Sequence, residues 1–212
     1  MSRDWAINAQ YAERYNPADA VFDAARTIAA DYAVTPLSAN TAGLLRLLTQ
    51  LAKPASALEV GTGTGTGTLA IMRGMPAGGV LTSIDVDADR QAVARELLGA
   101  ARIRPHCVRM IHGRGEDVLA RLAPGGYDLV FLDSEPLTYP RLVPLAIERL
   151  SADGLLIINQ ALLGDAVAKP ANRAPRTQVM RTVLSDIEAR TDIERLMIPI
   201  DAGLLVLRRL GQ

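Results

Sequence analysis

Five short apolar runs between residues 57 and 158 each stop at a glycine or a polar residue, and helical stretches separate them. The runs are Ala57-Leu58-Glu59-Val60, Val80–Ile84, Val108–Ile111, Asp128–Leu132 and Leu155–Ile158. Strands alternating with helices build βαβ units and a parallel sheet. Right-handed crossovers then put helices on both faces. The tail departs from this grammar. After a helix at about 175–190, the runs Glu194–Ile200 and Leu204–Arg209 are joined only by Asp201-Ala202-Gly203. So short a link cannot make a parallel crossover, so the pair is expected to form an antiparallel hairpin. The expected architecture is α/β: a mostly parallel, seven-stranded sheet closed by a C-terminal hairpin.

The stretch before Pro54 reads as helical. Asn16-Pro17 and Thr35-Pro36 are read as helix starts, because a capping side chain precedes a proline suited to the first turn. Leu44, Leu45, Leu47, Leu48 and Leu51 follow the second start. Residues 1–54 are therefore expected to be a helical addition, and residues 55–212 the sheet core, of one domain over 1–212.

Composition narrows the partners. A chain of 212 residues buries a core without a metal or disulfide staple. Its one cysteine, Cys107, excludes a disulfide framework and a cysteine-based zinc site. Lys+Arg and Asp+Glu both number 23, so no global field favours nucleic acid or an anionic membrane. No apolar run approaches the ~18 residues of a membrane span, and residues 1–5 lead into no secretory apolar stretch. A cytoplasmic protein is expected.

In an open parallel sheet, ligands bind beyond the carboxyl ends of the strands. Glu59–Gly65, Asp85, His112–Glu116, Asp133 and Asn159 all fall there. The run Glu59-Val60-Gly61-Thr62-Gly63-Thr64-Gly65-Thr66-Gly67 fails the Gly-x-Gly-x-x-Gly spacing and lacks the Gly-Lys-Ser/Thr ending of a phosphate loop. It is an acid two places before a Gly-x-Gly-x-Gly loop, which suits a cationic ligand group better than a pyrophosphate. Asp85, ending the second strand, can accept both ribose hydroxyls of a dinucleotide or of another nucleoside.

These motifs together resemble the catechol and caffeoyl-CoA type of S-adenosylmethionine-dependent O-methyltransferases, the small actinobacterial members most of all. The resemblance rests on Leu-Glu-Val-Gly-Thr at 58–62, Ser-Ile-Asp-Val-Asp at 83–87, Asp-Leu-Val-Phe-Leu-Asp at 128–133 and Gly-Leu-Leu-Ile-Ile at 154–158. Val34-Thr35-Pro36 and the closing hairpin agree with it. It implies a Rossmann-like class I methyltransferase fold and S-adenosylmethionine as cofactor. By resemblance, Glu59 serves the methionine end through ordered amides and the amino group. Gly61, Thr62 and Gly63 form the backbone cradle, and Leu37 touches the methionine part. Gly67 stands where the family often has a serine, leaving a helix-start amide for the carboxylate. Asp85 takes the ribose, Val86 flanks the adenine, and Gly115 and Glu116 read its edge. Asp133 faces the methyl group and the acceptor.

Metal-using relatives carry Asp-x-Asp-Lys-x-x-Tyr after the fourth strand and Asp-Asn after the fifth. Here these read Asp133-Ser134-Glu135-Pro136-Leu137-Thr138-Tyr139 and Asn159-Gln160. One certain carboxylate with two neutral amides is a poor magnesium site, so transfer without a bound metal is expected. Without the lysine, the groups left to activate the acceptor oxygen are Asp133, Glu135 and His112, or an acceptor already acidic; Asp133 and Glu135 are the candidate catalytic residues. The loop 162–176, with Lys169, Arg173 and Arg176, is either a solvated loop or a lid for an anionic acceptor. The expected activity is methyl transfer to a hydroxyl of a small acceptor. The alternatives are a catalytically silent S-adenosylmethionine-binding protein and a nicotinamide-dependent oxidoreductase. The resemblance also implies a homodimer, with the leucine-rich N-terminal helices or the hairpin as its face.

Overall fold

The computed structural model describes residues 3–211. Three helices come first: α1 (Arg3–Tyr15), α2 (Ala20–Ile28) and α3 (Ala39–Ala52). The alternating core follows as β1 (Ser56–Val60), α4 (Thr66–Gly74), β2 (Val80–Asp85), α5 (Ala88–Ala100), β3 (Val108–His112), α6 (Gly115–Leu119), β4 (Tyr127–Leu132), α7 (Tyr139–Arg149) and β5 (Leu150–Ile158). Then come α8 (Pro175–Glu188), β6 (Ile193–Ile198) and β7 (Leu204–Arg209). The sheet order is β3-β2-β1-β4-β5-β7-β6. The first five strands are parallel, and β7 runs antiparallel to both β5 and β6. The expected seven-stranded sheet and hairpin are both present.

The central strands are buried on both faces, and the period of two along each strand sorts their side chains between two cores. Leu58, Val60, Val130, Leu132 and Ile158 face α7 and α8. Ala57, Leu129, Phe131 and Ile157 face the side built with Leu45 of α3 and Leu69 of α4. By the same alternation Glu59 is carried into the second face, under α4.

Two sequence expectations are corrected. Asn16 and Thr35 do not cap the helices that follow. Asp19 caps α2, accepting from Phe22 N at 3.1 Å, and Ser38 Oγ caps α3, accepting from Thr41 N at 3.0 Å. Asn16 instead closes α1, its Nδ2 donating to Ala12 O and to Asn40 Oδ1. A proline forces the residue before it into extended backbone, and here the caps fall on the first suitable side chain after each proline. The fifth strand is also longer than expected, because Tyr127 pairs with Leu150 and an irregularity between Tyr127 and Leu129 restores the register at Leu155. Among the described residues no helix is long and apolar enough to cross a membrane.

Candidate functional site

The carboxyl ends of β1, β2 and β4 stand level. Val60 is in register with Ile84 on one side and with Leu132 on the other. Gly61 N donates to Ile84 O at 2.8 Å and Asp133 N to Val60 O at 2.9 Å. Over this edge lies a cavity of about 690 Å³, in the usual range for a small-molecule site. Gly61, Thr62, Gly63, Gly67, Asp85, Val86, Gly115, Glu116, Asp133 and Glu135 all line it.

The glycine loop needs its glycines for distinct reasons. Gly61 has φ +100°, and a Cβ there would lie 2.0 Å from Asp133 O, so β1 can approach the β4 end only without a side chain. At Gly67 a Cβ would lie 2.5 Å from Glu59 Oε1 and 3.0 Å from the Phe131 ring.

Asp85 is 6% exposed, and its carboxylate is aimed by two backbone amides. Oδ2 accepts from Gly63 N and Oδ1 from Asp87 N, each at 2.9 Å. Each carboxylate oxygen keeps a further lone pair for a ligand. Val86 beside it is 61% exposed, an apolar side chain left uncovered at the cavity wall. Glu116, in the first turn of α6, accepts from Arg114 Nε at 3.2 Å and Nη2 at 2.8 Å. Burial raises its pKa, but the Arg114 hydrogen bonds and charge outweigh that and hold it below the usual carboxylate range.

Two expected cofactor residues stand back from the cavity. Leu37 is 3% exposed and packs into the core, its N–H making a buried hydrogen bond to Thr66 Oγ1 at 3.2 Å. The wall at that point is made by Ala33, Val34 and Thr35 instead. Glu59 is fully buried behind Gly67. Its Oε2 accepts from Thr68 Oγ1 and Ser83 Oγ, both at 2.6 Å, while Oε1 has no partner. Burial foremost, with the nearby charges of Asp133 and Asp85 adding to it, pushes its pKa up to about 8 against the two hydroxyls.

At the other end of the cavity, Asp133 Oδ1 accepts from Asn159 Nδ2 at 3.0 Å and from Gln160 Nε2 at 3.2 Å. Burial raises its pKa, and the two amides oppose the rise. Glu135 also lines the cavity, but Arg176 grips both of its oxygens and holds its pKa down, which weakens it as a proton acceptor. His112, another candidate, turns its Nε2 to Val86 O at 3.0 Å and is absent from the cavity wall. Tyr139 is fully buried, and its hydroxyl accepts from Ser134 N at 3.4 Å. The loop after β5 is fastened by Arg181, which donates to the carbonyls of Ala166, Val167, Lys169 and Asn172. Two of its three expected cations are paired, Lys169 with Asp165 and Arg176 with Glu135.

The sequence reading missed Arg90, Thr66, Ser134 and Gln160 as cavity-lining residues. Gln160 was findable, since it adjoins a strand end already singled out. Arg90 lies on α5, and nothing in its spacing marks it.

A parallel sheet with a reversed seventh strand, and a glycine-walled cavity with an acid at each end, define the Rossmann-like methyltransferase class. A family model described as O-methyltransferase matches residues 22–210. A relative from Mycobacterium sp. (strain KMS), whose name places it among the O-methyltransferases, is 36% identical over 212 residues, covering 98% of this chain and 94% of its own. A crystal structure of a Corynebacterium glutamicum protein superposes with a TM-score of 0.92 at 27% identity, covering 99% of each chain. The O-methyltransferase TomG of Streptomyces achromogenes, involved in tomaymycin synthesis and solved in complex with S-adenosylmethionine, shares the fold at a TM-score of 0.87 and 22% identity, with 100% of each chain covered. The chain belongs to the O-methyltransferase family.

Proposed function

We propose that this protein transfers the methyl group of S-adenosylmethionine to a hydroxyl of a small acceptor. The observation that carries the reading is the single cavity running from Asp85 to Asp133 past the glycine wall. The residues fit the cofactor. Asp85 presents a carboxylate already oriented for ribose hydroxyls, exposed Val86 offers an apolar face for a base, and Glu116 stands beside it. The unpartnered Glu59 Oε1 lies one glycine away from the cavity, a free polar atom behind its wall. The S-adenosylmethionine bound by TomG, and the S-adenosylhomocysteine bound by a Bacillus cereus O-methyltransferase of the same fold (TM-score 0.86, 20% identity), support the choice.

S-adenosylmethionine supplies an electrophilic methyl group on a sulfonium. The chain's part is to hold the acceptor oxygen in line with it and to take its proton. Asp133 is the proton acceptor. As the acceptor O–H bond breaks toward the carboxylate, the oxygen–methyl bond forms and the carbon–sulfur bond breaks, leaving a methyl ether and a neutral thioether. Positioning and a water-poor site lower such a barrier by several kcal/mol. Glu135, tied to Arg176, shapes the acceptor mouth. We further propose a cytoplasmic homodimer. Ile7, Tyr11 and Tyr15 on α1, with Leu47 and Leu51 on α3, leave an apolar face exposed that a second copy would cover. Sedimentation at micromolar concentration tests it; a monomer would refute it.

One observation favours a second reading, that of a silent cofactor-binding protein: Pro136 stands where metal-using relatives carry their lysine. Labelled methyl transfer from S-adenosylmethionine into a panel of phenols and other hydroxylated acceptors separates the two. Product formation is expected. Tight cofactor binding without transfer to any acceptor would favour the second reading.

A further inference from the structure

Metal-using relatives hold a divalent ion at the positions of Asp133, Asn159 and Gln160, and the side chains present here do not fit one. A hard divalent cation wants several oxygen ligands, with carboxylates prominent among them. These three positions supply one carboxylate. Both carboxamides turn N–H groups rather than oxygens toward the shared point, meeting Asp133 Oδ1 at 3.0 and 3.2 Å. The remaining nearby acid, Glu135, is occupied by Arg176. Among the described residues no group of three histidine, cysteine, aspartate or glutamate side chains could hold an ion.

The arrangement is not what a strand end gives by default. Successive strand side chains point to opposite faces, so Asn159 and Gln160 would ordinarily diverge. Asn159 stays on the sheet, its N–H donating to Leu132 O at 2.9 Å. Gln160 then takes a left-handed conformation, φ 57°, unusual for a residue with a side chain. That turn brings two consecutive amides onto one carboxylate oxygen. Oδ2 of the same carboxylate accepts no hydrogen bond from the described residues, and Asp133 lines the cavity.

We propose that Asn159 and Gln160 are positioning residues that replace the ion: they lock Asp133 by Oδ1 so that Oδ2 meets the acceptor hydroxyl, and transfer proceeds without a divalent metal. The proposal rests on the methyltransferase reading above.

The test has one arm that needs no acceptor and one that does. In the first, Mn²⁺ is titrated into the protein and the free-ion spin-resonance signal is followed. The wild type is expected to leave the signal intact. The double variant Asn159→Asp, Gln160→Asn, which restores two carboxylates and an amide, is expected to quench it. In the second, turnover of an acceptor found by the labelled screen is measured in EDTA and in Mg²⁺. Wild-type rates are expected to agree within about twofold. Gln160→Glu, similar in shape but lacking the N–H donor, is expected to lose tenfold or more in kcat while its S-adenosylmethionine Kd stays within about twofold. Stoichiometric Mn²⁺ capture by the wild type, EDTA-abolished turnover restored by Mg²⁺, or an unchanged kcat in Gln160→Glu would each overturn the proposal. Failure of the wild type to bind S-adenosylmethionine at all would be a different result: it would remove the methyltransferase reading, and this proposal with it.

Discussion

Glu59 Oε1 lies directly beneath Gly67, where a Cβ would come within 2.5 Å of it. The glycine is therefore required by the buried acid behind it as much as by the cavity in front of it. Gly67→Ser would supply a hydroxyl at a position where relatives often carry serine, yet it would press on Glu59 and on the Phe131 ring. Overpacking of this kind costs about 1–3 kcal/mol. The expected outcome in thermal denaturation is a Tm lowered by several degrees, with no gain in cofactor affinity by calorimetry. A Tm equal to the wild type's would show that Glu59 has room to move.

The buried Glu59 carboxyl also ties stability to pH. Its pKa is about 8 in the folded protein against an ordinary 4.5. Below the ordinary value both folded and unfolded chains carry the proton, and no linkage arises. Between about 4.5 and about 8 the folded chain keeps a proton that the unfolded chain has released, so stability falls as pH rises. Above that window the loss is complete. Each pKa unit corresponds to roughly 1.4 kcal/mol. Comparing the cofactor-free wild type with Glu59→Gln by Tm at pH 5.5 and pH 8 isolates this contribution. The wild type is expected to lose several degrees more than the variant across that interval; parallel slopes would contradict the assignment.

Asp85 is the residue whose loss should be felt most by the cofactor. Its carboxylate is held by Gly63 N and Asp87 N, so Asp85→Ala removes both the proposed ribose contact and a tether of the glycine loop. Hydrogen bonds to charged groups contribute about 1.5–3 kcal/mol each. Calorimetric titration with S-adenosylhomocysteine is expected to show Kd raised at least tenfold. Asp85→Asn keeps the shape and should bind between the two.

The Glu135–Arg176 pair should behave differently. Both side chains are well exposed, and ion pairs of that kind contribute about 0–1 kcal/mol to stability. Arg176→Ala is expected to leave Tm within a degree or two and the cofactor Kd unchanged, while raising the acceptor KM, since the pair fixes the mouth between β4 and α8. A shift in cofactor affinity instead would mean that the pair acts on the wrong end of the cavity.

The sheet was legible because its evidence is local. Apolar runs ending at Gly61, Asp85, Asp133 and Asn159 report buried parallel strands whatever surrounds them, and the three-residue link at 201–203 leaves the last two strands one geometry. The helix starts were less legible. Asp19 and Ser38 compete with Asn16 and Thr35 as caps, and tertiary contacts such as Asn16 with Asn40 decide between them. In the site, the singled-out residues Gly61, Asp85 and Asp133 on the strand ends line the cavity, whereas Leu37 and Glu59 lie behind its wall. Side-chain direction there depends on which face the alternation buries and on how closely α4 sits over β1. The pairing of Glu135 with Arg176 spans 41 residues of sequence and leaves no mark in either local pattern.

The most direct measurement of the central claim is a calorimetric titration of the purified protein with S-adenosylmethionine and, separately, with NADH. Saturable micromolar binding of the first and none of the second is expected, with the S-adenosylmethionine signal lost in Asp85→Ala. Saturable NADH binding with no heat from S-adenosylmethionine would contradict it.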